Sequence, residues 1–230
     1  MGYEYRFDRD NCWYIGECSK QDTKECYAGC IRYMEMDYLM QTSNIPKHRQ
    51  RPNSLVPSKL DMDNFIFLRQ VKDDIVDFVK SGESLYIYSE AFGNGKTSWA
   101  IKMIQKYFDS IWAGNGFRCR ALFIHVPSFL TKTKEVISRK DEDFEDIRNR
   151  IQDVDLVVWD DIGATKLSDF DHSVILSYLD TRVLKKLSNI YTGNLHEKTL
   201  LDALGNRLYS RVWNMSSRVA LVGEDRRIGE

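Results

Sequence analysis

The chain has 230 residues, 43% of them apolar, and its 33 basic and 34 acidic side chains leave a net charge of −1. That length supports one main domain with at most a small accessory one, and the balanced charge excludes a globally basic nucleic-acid binder while leaving room for a local basic patch. No apolar run approaches the roughly 20 residues of a spanning helix, the N-terminus Met1-Gly2-Tyr3-Glu4-Tyr5-Arg6 has no apolar signal core, and Arg6 stands where a myristoylation site needs Ser or Thr. A soluble cytoplasmic protein with no membrane partner is expected.

Residues 1–43 form a cysteine-bearing head. Four of the five cysteines, Cys12, Cys18, Cys26 and Cys30, follow the pattern C-x5-C-x7-C-x3-C. In a chain without an export signal, clustered cysteines point to a metal before disulfides, and four thiolates suit tetrahedral Zn²⁺. An iron–sulfur cluster and reduced structural cysteines are the alternatives, because the tight C-x-x-C knuckle is absent. A head this small needs a staple to fold by itself. Cys30 to Met40 has apolar residues at helical spacing and leaves the head as a helix. Residues 44–60 hold Pro46, Pro52 and Pro57 among Lys47, Arg49, Arg51 and Lys59, and read as a linker or strap.

From residue 61 to 230, helices alternate with apolar strands. Helices are expected over Phe65–Lys80, Thr97–Phe108, from Pro127 onward, over Asp141–Ile151 and Asp171–Lys186, with two short helices after residue 192. Strands are expected at Ser84–Ser89, Arg120–Val126, Val154–Asp160, Ser188–Thr192 and Arg218–Val222. The third strand is nearly continuous in apolar residues, as in a parallel sheet covered on both faces. Such alternation implies an α/β three-layer sandwich around a central parallel sheet. Cys119 reads as a core or edge residue of that sheet, and His125 as a core histidine rather than a ligand.

Strand, glycine-bearing loop, then helix is also the setting of a phosphate-binding loop, and Glu90-Ala91-Phe92-Gly93-Asn94-Gly95-Lys96-Thr97 lies in it. A triphosphate needs backbone N–H donors unobstructed by side chains. Gly93 and Gly95 permit that approach, and the helix N-terminus adds its dipole. Phe92 to Ser98 would contact the nucleotide, Lys96 reaching the β- and γ-phosphates and Thr97 holding Mg²⁺. Glu90 stands where this motif usually has its first glycine, which is tolerable if its carboxylate points away from the phosphates.

Sixty-four residues beyond Lys96, the buried strand ends in Asp160-Asp161. This is a Walker B pattern, with Asp160 facing Mg²⁺ beside Thr97 and Asp161 orienting the attacking water. The water-activating acid is more often Glu. Asp161 is one methylene shorter, which predicts slow turnover.

Together these motifs resemble those of the DnaC/DnaI-type helicase loaders of the AAA+ ATPases, the phage-encoded versions being nearest in character. The resemblance covers residues 61–230 and is carried by Phe92-Gly93-Asn94-Gly95-Lys96-Thr97, the Asp155-to-Gly163 segment, Thr192-Gly193-Asn194 and Leu204 to Arg211. It implies that Asn194 is a sensor for the γ-phosphate or attacking water. It makes Arg211 an arginine finger reaching a neighbouring subunit's ATP, with Arg207 the competing candidate, and so implies self-association through the ATP site. It also makes Arg227, in preference to Arg226, a second sensor. The implied cofactors are ATP/ADP and Mg²⁺, with Zn²⁺ in the head. The implied partners are a hexameric replicative helicase, docked by the head, and single-stranded DNA. Lys132, Lys134, Arg139 and Lys140 form one candidate DNA patch, and Pro46 to Arg51 another. An IstB-like transposition ATPase and a nucleotide switch with little hydrolysis are the alternative functions.

Overall fold

The structure is a computed structural model that describes residues 3–222, apart from 22, 53, 54, 58, 92 and 137–139. Five strands, β1 (Ser84–Tyr88), β2 (Ala121–His125), β3 (Leu156–Asp160), β4 (Ser188–Gly193) and β5 (Ser217–Ala220), form one sheet in the order β2-β3-β4-β1-β5. All four pairings are parallel. Eight helices accompany them: α1 (Ile31–Thr42), α2 (Met62–Asp73), α3 (Ile75–Ser81), α4 (Lys96–Ile111), α5 (Val126–Glu135), α6 (Glu142–Ile151), α7 (Asp169–Leu184) and α8 (Glu197–Tyr209).

The alternation of side chains along each strand divides the core in two. In β3, Leu156 and Val158 face one layer while Val157 and Trp159 face the other. The first layer takes Leu68 of α2, Ile75 and Phe78 of α3, and Trp99, Met103 and Phe108 of α4. The second takes Phe129 of α5, Ile147 of α6, Leu179 of α7 and Leu204 of α8. This is the expected α/β sandwich with a central parallel sheet.

The head shares the first core. Tyr14, Met36, Leu39 and Met40 belong to the same buried cluster as α4. Arg32 on α1 lies 3.6 Å above the Tyr14 ring and pairs with Asp109 of α4 at 2.8 Å. Where the chain leaves α1, the Ser43 carbonyl accepts from Phe123 N–H at 2.8 Å and Asn44 Nδ2 donates to the Phe123 carbonyl at 2.9 Å. Those two bonds cover the outer edge of β2, which would otherwise expose unpaired backbone groups.

The single helix expected over Phe65–Lys80 is two. Asp74 leaves helical geometry (φ −96°, ψ 21°), and the turn swings Ile75, Phe78 and Val79 onto the core. α3 ends at Gly82, whose φ of 72° lets its N–H reach the Phe78 and Val79 carbonyls. A Cβ there would fall 2.5 Å from the Lys186 carbonyl oxygen, so close packing as well as φ selects glycine. α7 starts two residues before the expected Asp171 because Ser168 and Asp171 form a reciprocal capping box. Gly205 (φ 66°, ψ 166°) breaks α8 near its end, and a π-helical turn, Ser210–Asn214, follows, which accounts for the two short helices read from the sequence.

Arg182 of α7 is fully buried at the end of the sheet opposite the glycine loop. It donates to the Ile151, Val154 and Ser188 carbonyls at 2.7, 2.9 and 2.5 Å and to Asn189 Oδ1 at 2.7 Å. Burial lowers its pKa, and the nearby Tyr191 and Asp155 oppose that shift. The guanidinium thus ties α6, α7, β3 and β4 together through acceptors that have no water to replace it. Arg182→Ala is expected to lower unfolding free energy by about 3–5 kcal/mol, the cost of breaking a buried charged network from one side. A urea denaturation midpoint within error of wild type would show that those carbonyls find other donors.

Candidate nucleotide-binding site

Parallel pairing aligns the carboxyl ends of the strands. His125 is level with Asp160, and Tyr88 is level with Gly193. The loop after β1, the acids after β3 and Asn194 after β4 therefore gather at one edge of the sheet, where open α/β sheets bind ligands.

The glycine loop has the backbone its sequence demands. Gly93 and Gly95 adopt φ of 70° and 97°, and Gly95 is the N-cap of α4. Asn94 is buried and donates from Nδ2 to the Leu221 carbonyl at 3.2 Å, tying the loop to the chain just beyond β5. Lys96, in the first turn of α4, folds over its own loop, with Nζ 3.0 Å from the Ala91 carbonyl, 3.2 Å from Asn94 Oδ1 and 3.5 Å from the Ser89 carbonyl. Ser98 follows in the same turn, partly buried. Glu90 points outward, 76% exposed and 3.6 Å from His196 Nε2. The condition for a glutamate at this position is met. Phe92 lies outside the described residues.

Thr97 and Asp160 meet as expected. Thr97 Oγ1 donates to Asp160 Oδ1 at 2.8 Å, and Thr192 Oγ1 donates to the same oxygen at 2.7 Å. Asp160 is fully buried, and its Oδ2 has no hydrogen-bond partner. Burial raises its pKa and Asp161 adds to the rise, while Thr192, Thr97 and Arg49 oppose it. An orphaned, buried carboxylate oxygen beside a threonine hydroxyl fits a hard divalent cation such as Mg²⁺.

Asp161 has a left-handed backbone (φ 59°), and its N–H donates to Thr192 Oγ1 at 3.1 Å. Its carboxylate turns toward His125, whose Nε2 lies 3.5 Å from Oδ2 and whose Nδ1 lies 2.8 Å from Ser128 Oγ. His125, Asp160 and Asp161 are the only His/Cys/Asp/Glu group among the described residues close enough to share a metal ion. His125 is thus part-exposed beside the acidic pair and not the core residue expected. Thr192 and Arg49 were also missed. Arg49 Nη1 sits 3.7 Å from Asp160 Oδ2. The signal for His125 was its place as the last residue of a strand neighbouring the acidic one; Arg49 had none beyond its charge.

Other expected residues lie apart. Arg211 donates to Asp180 Oδ1 on α7 at 2.9 Å. Arg207 is exposed in the last turn of α8. Arg226 and Arg227 fall outside the described residues, as does Arg139. The remaining basic patch is largely committed, Lys132 to Asp141 and Lys134 to Asp171, each at 2.8 Å. Cys12, Cys18, Cys26 and Cys30 are unbridged, and no three of them form a group close enough to share a metal. Cys12 and Cys18 instead pack against the first core, so the head as folded does not fit a four-thiolate zinc site. No helix among the described residues is long and apolar enough to cross a membrane.

Solved structures with this architecture include DnaI, at 20% identity over 77% of this chain and 95% of that one, with a TM-score of 0.63. The DnaC helicase loader matches at 18% identity over 80% and 98%, with a TM-score of 0.58. The chain has the DnaI/DnaC fold. The replication initiator DnaA bound to AMPPCP and single-stranded DNA matches at 18% identity over 78% of this chain and 51% of that one, with a TM-score of 0.58. No protein-family model and no curated protein matches the chain. The expected α/β core around a central parallel sheet is therefore present, with the fold of these structures.

Asp160→Asn tests the cost of the buried carboxylate. The raised pKa means the native state holds the Asp160 proton more tightly than the unfolded chain, so stability from this group is full at low pH and falls as pH rises through the native pKa. In EDTA near neutral pH, Asp160→Asn is expected to melt higher than wild type while losing the Mg²⁺ dependence of nucleotide binding. A lower melting temperature under those conditions would contradict this account of Asp160.

Proposed function

We propose that the chain is a slow AAA+ ATPase that acts as a DnaC/DnaI-type loader, delivering a ring-shaped replicative helicase onto single-stranded DNA. The observation that carries the nucleotide reading is the junction of Thr97 and the orphaned Asp160 carboxylate beside a glycine loop whose lysine is already drawn over it. On this reading Lys96 exchanges its loop carbonyls for the β- and γ-phosphates. Thr97 and Asp160 hold Mg²⁺, which supplies charge neutralisation at the transferring phosphoryl group. Asp161 orients the attacking water, with His125 fixing the direction of its carboxylate, and Asn194 senses the γ-phosphate from the end of β4. Arg211, or Arg207 in the turn before it, reaches the ATP of a neighbouring subunit, and Arg227 closes on the nucleotide from the C-terminal tail. The loader part rests on the DnaI and DnaC likeness, and in it the head is the helicase-docking surface. The head's four cysteines are free thiols in the fold, and the head is held by the shared core and by the Arg32–Asp109 pair.

One observation favours a second reading, a nucleotide switch with little hydrolysis. Asp161 is short, held in a left-handed backbone, and turned toward His125. Removing the P-loop charge separates binding from its absence: Lys96→Ala is expected to weaken nucleotide binding at least about tenfold, the scale of a charge-assisted phosphate contact. Equal affinity in the two proteins would remove the nucleotide site. Steady-state ATP turnover then divides the readings, since a turnover no higher in wild type than in Lys96→Ala leaves the switch. For the partner, a co-expressed hexameric replicative helicase is expected to co-purify with the full chain. A transposase in its place would favour the IstB-like ATPase.

A further inference from the structure

The segment joining head and core crosses the nucleotide loop. Arg49, in the 3-10 turn Lys47–Arg49, brings Nη1 to 3.7 Å from Asp160 Oδ2. Further along, Leu55 lies so close to Gly95 that a Cβ on the glycine would sit 3.0 Å from Leu55 Cδ2. Between these points the strap is gripped on both sides. Pro52 carbonyl accepts from Lys102 Nζ of α4 at 3.3 Å, and Gln50 carbonyl accepts from Gln105 of the same helix. Toward the head, Arg51 lies 4.5 Å over the Trp13 ring and donates to the Asn11 carbonyl.

We propose that Arg49 and a nucleotide-bound divalent cation compete for Asp160, so that the strap is a latch which Mg²⁺-nucleotide unseats. The inference rests on the nucleotide reading above. Oδ1 of Asp160 is shared by two threonines, and Oδ2 is the oxygen left for a cation. A metal ligated there at about 2.1 Å would stand within a few ångströms of the guanidinium, two positive charges against one poorly hydrated oxygen. Asp160 is fixed at the end of a central strand. Arg49 is half-exposed and sits on a single turn, so Arg49 is the partner that moves. Because the same strap holds Trp13 and Asn11, its displacement loosens the head from α4 and reports the nucleotide state to whatever the head binds.

Two measurements on the full chain test this. In titrations of a fluorescent ATP analogue, Arg49→Ala is expected to lower the Mg²⁺ concentration for half-maximal binding about two- to fivefold, the range of a partly exposed ion pair. Arg49→Lys, which keeps the charge, is expected to stay near wild type, and all three proteins are expected to bind alike in EDTA. Independently, trypsin cleavage of wild type after Lys47 and Arg49 is expected to accelerate with Mg²⁺ and AMPPCP together and not with AMPPCP in EDTA. Weaker or unchanged Mg²⁺-nucleotide binding by Arg49→Ala, or protection of the strap by Mg²⁺-AMPPCP, overturns the latch. A wild-type chain that binds no nucleotide at all overturns instead the site on which it rests.

Discussion

Asp160 carries a carboxylate into a place closed to water, and the arrangement around it follows from that burial. A buried charge is tolerated only where donors or counter-charges meet it. Here Thr97 arrives from the helix after the glycine loop, Thr192 from the next strand and Arg49 from the strap. Three parts of the chain distant in sequence are thereby drawn to one atom group. Two donors converge on Oδ1, while Oδ2 accepts no hydrogen bond and meets only the Arg49 guanidinium at 3.7 Å, which leaves it open to a cation. Arg182 shows the contrast. It is equally buried, but it spends its donors on fixed protein acceptors and has nothing left to offer a ligand.

The sheet makes this convergence possible. β3 lies between β2 and β4, and parallel pairing puts His125 level with Asp160 and brings Thr192, the residue after the Trp159-paired Tyr191, beside it. His125, Asp160 and Thr192 thus become neighbours although no local pattern links them. Gly193 completes the crowding, because a Cβ there would fall 2.6 Å from the Tyr86 hydroxyl and 2.9 Å from the Ile162 carbonyl. The backbone after β4 can approach the acidic turn only with glycine at that position.

Much of this was legible in the sequence, and what was missed has physical reasons. β3 could be read because a strand covered on both faces is nearly all apolar, and Val157-Val158-Trp159 leaves no competing period. The glycine loop and the acidic pair could be read because phosphate and metal chemistry restricts residue types at fixed spacing. His125 was misplaced because one histidine at the end of an apolar run looks the same whether its ring meets leucines or a carboxylate; only strand order decides. The break at Asp74 carries no glycine or proline and comes from the core pulling Ile75 and Phe78 inward, a tertiary effect with no local mark. By its own apolar surface alone, the head needs a staple. In the fold Met36, Leu39 and Met40 pack into the first core, and α4 supplies the surface the head lacks.

On the proposed reading, Asp161 sets the balance between holding and hydrolysing nucleotide. A residue other than glycine in the left-handed region carries a backbone cost that aspartate bears better than most, and such strain persists where surrounding bonds over-determine it. Here the Asp161 N–H is fixed by Thr192 Oγ1, the same hydroxyl that donates to Asp160, so the turn cannot relax without disturbing the buried carboxylate. The side chain is thereby aimed at His125 and, being one methylene shorter than glutamate, has little reach to spare. A water-orienting carboxylate must lie within hydrogen-bond distance of the attacking water. On the proposed reading His125 holds that carboxylate in the direction from which it meets the water. On that reading affinity would rest on the loop, Lys96 and Asp160, and turnover on Asp161.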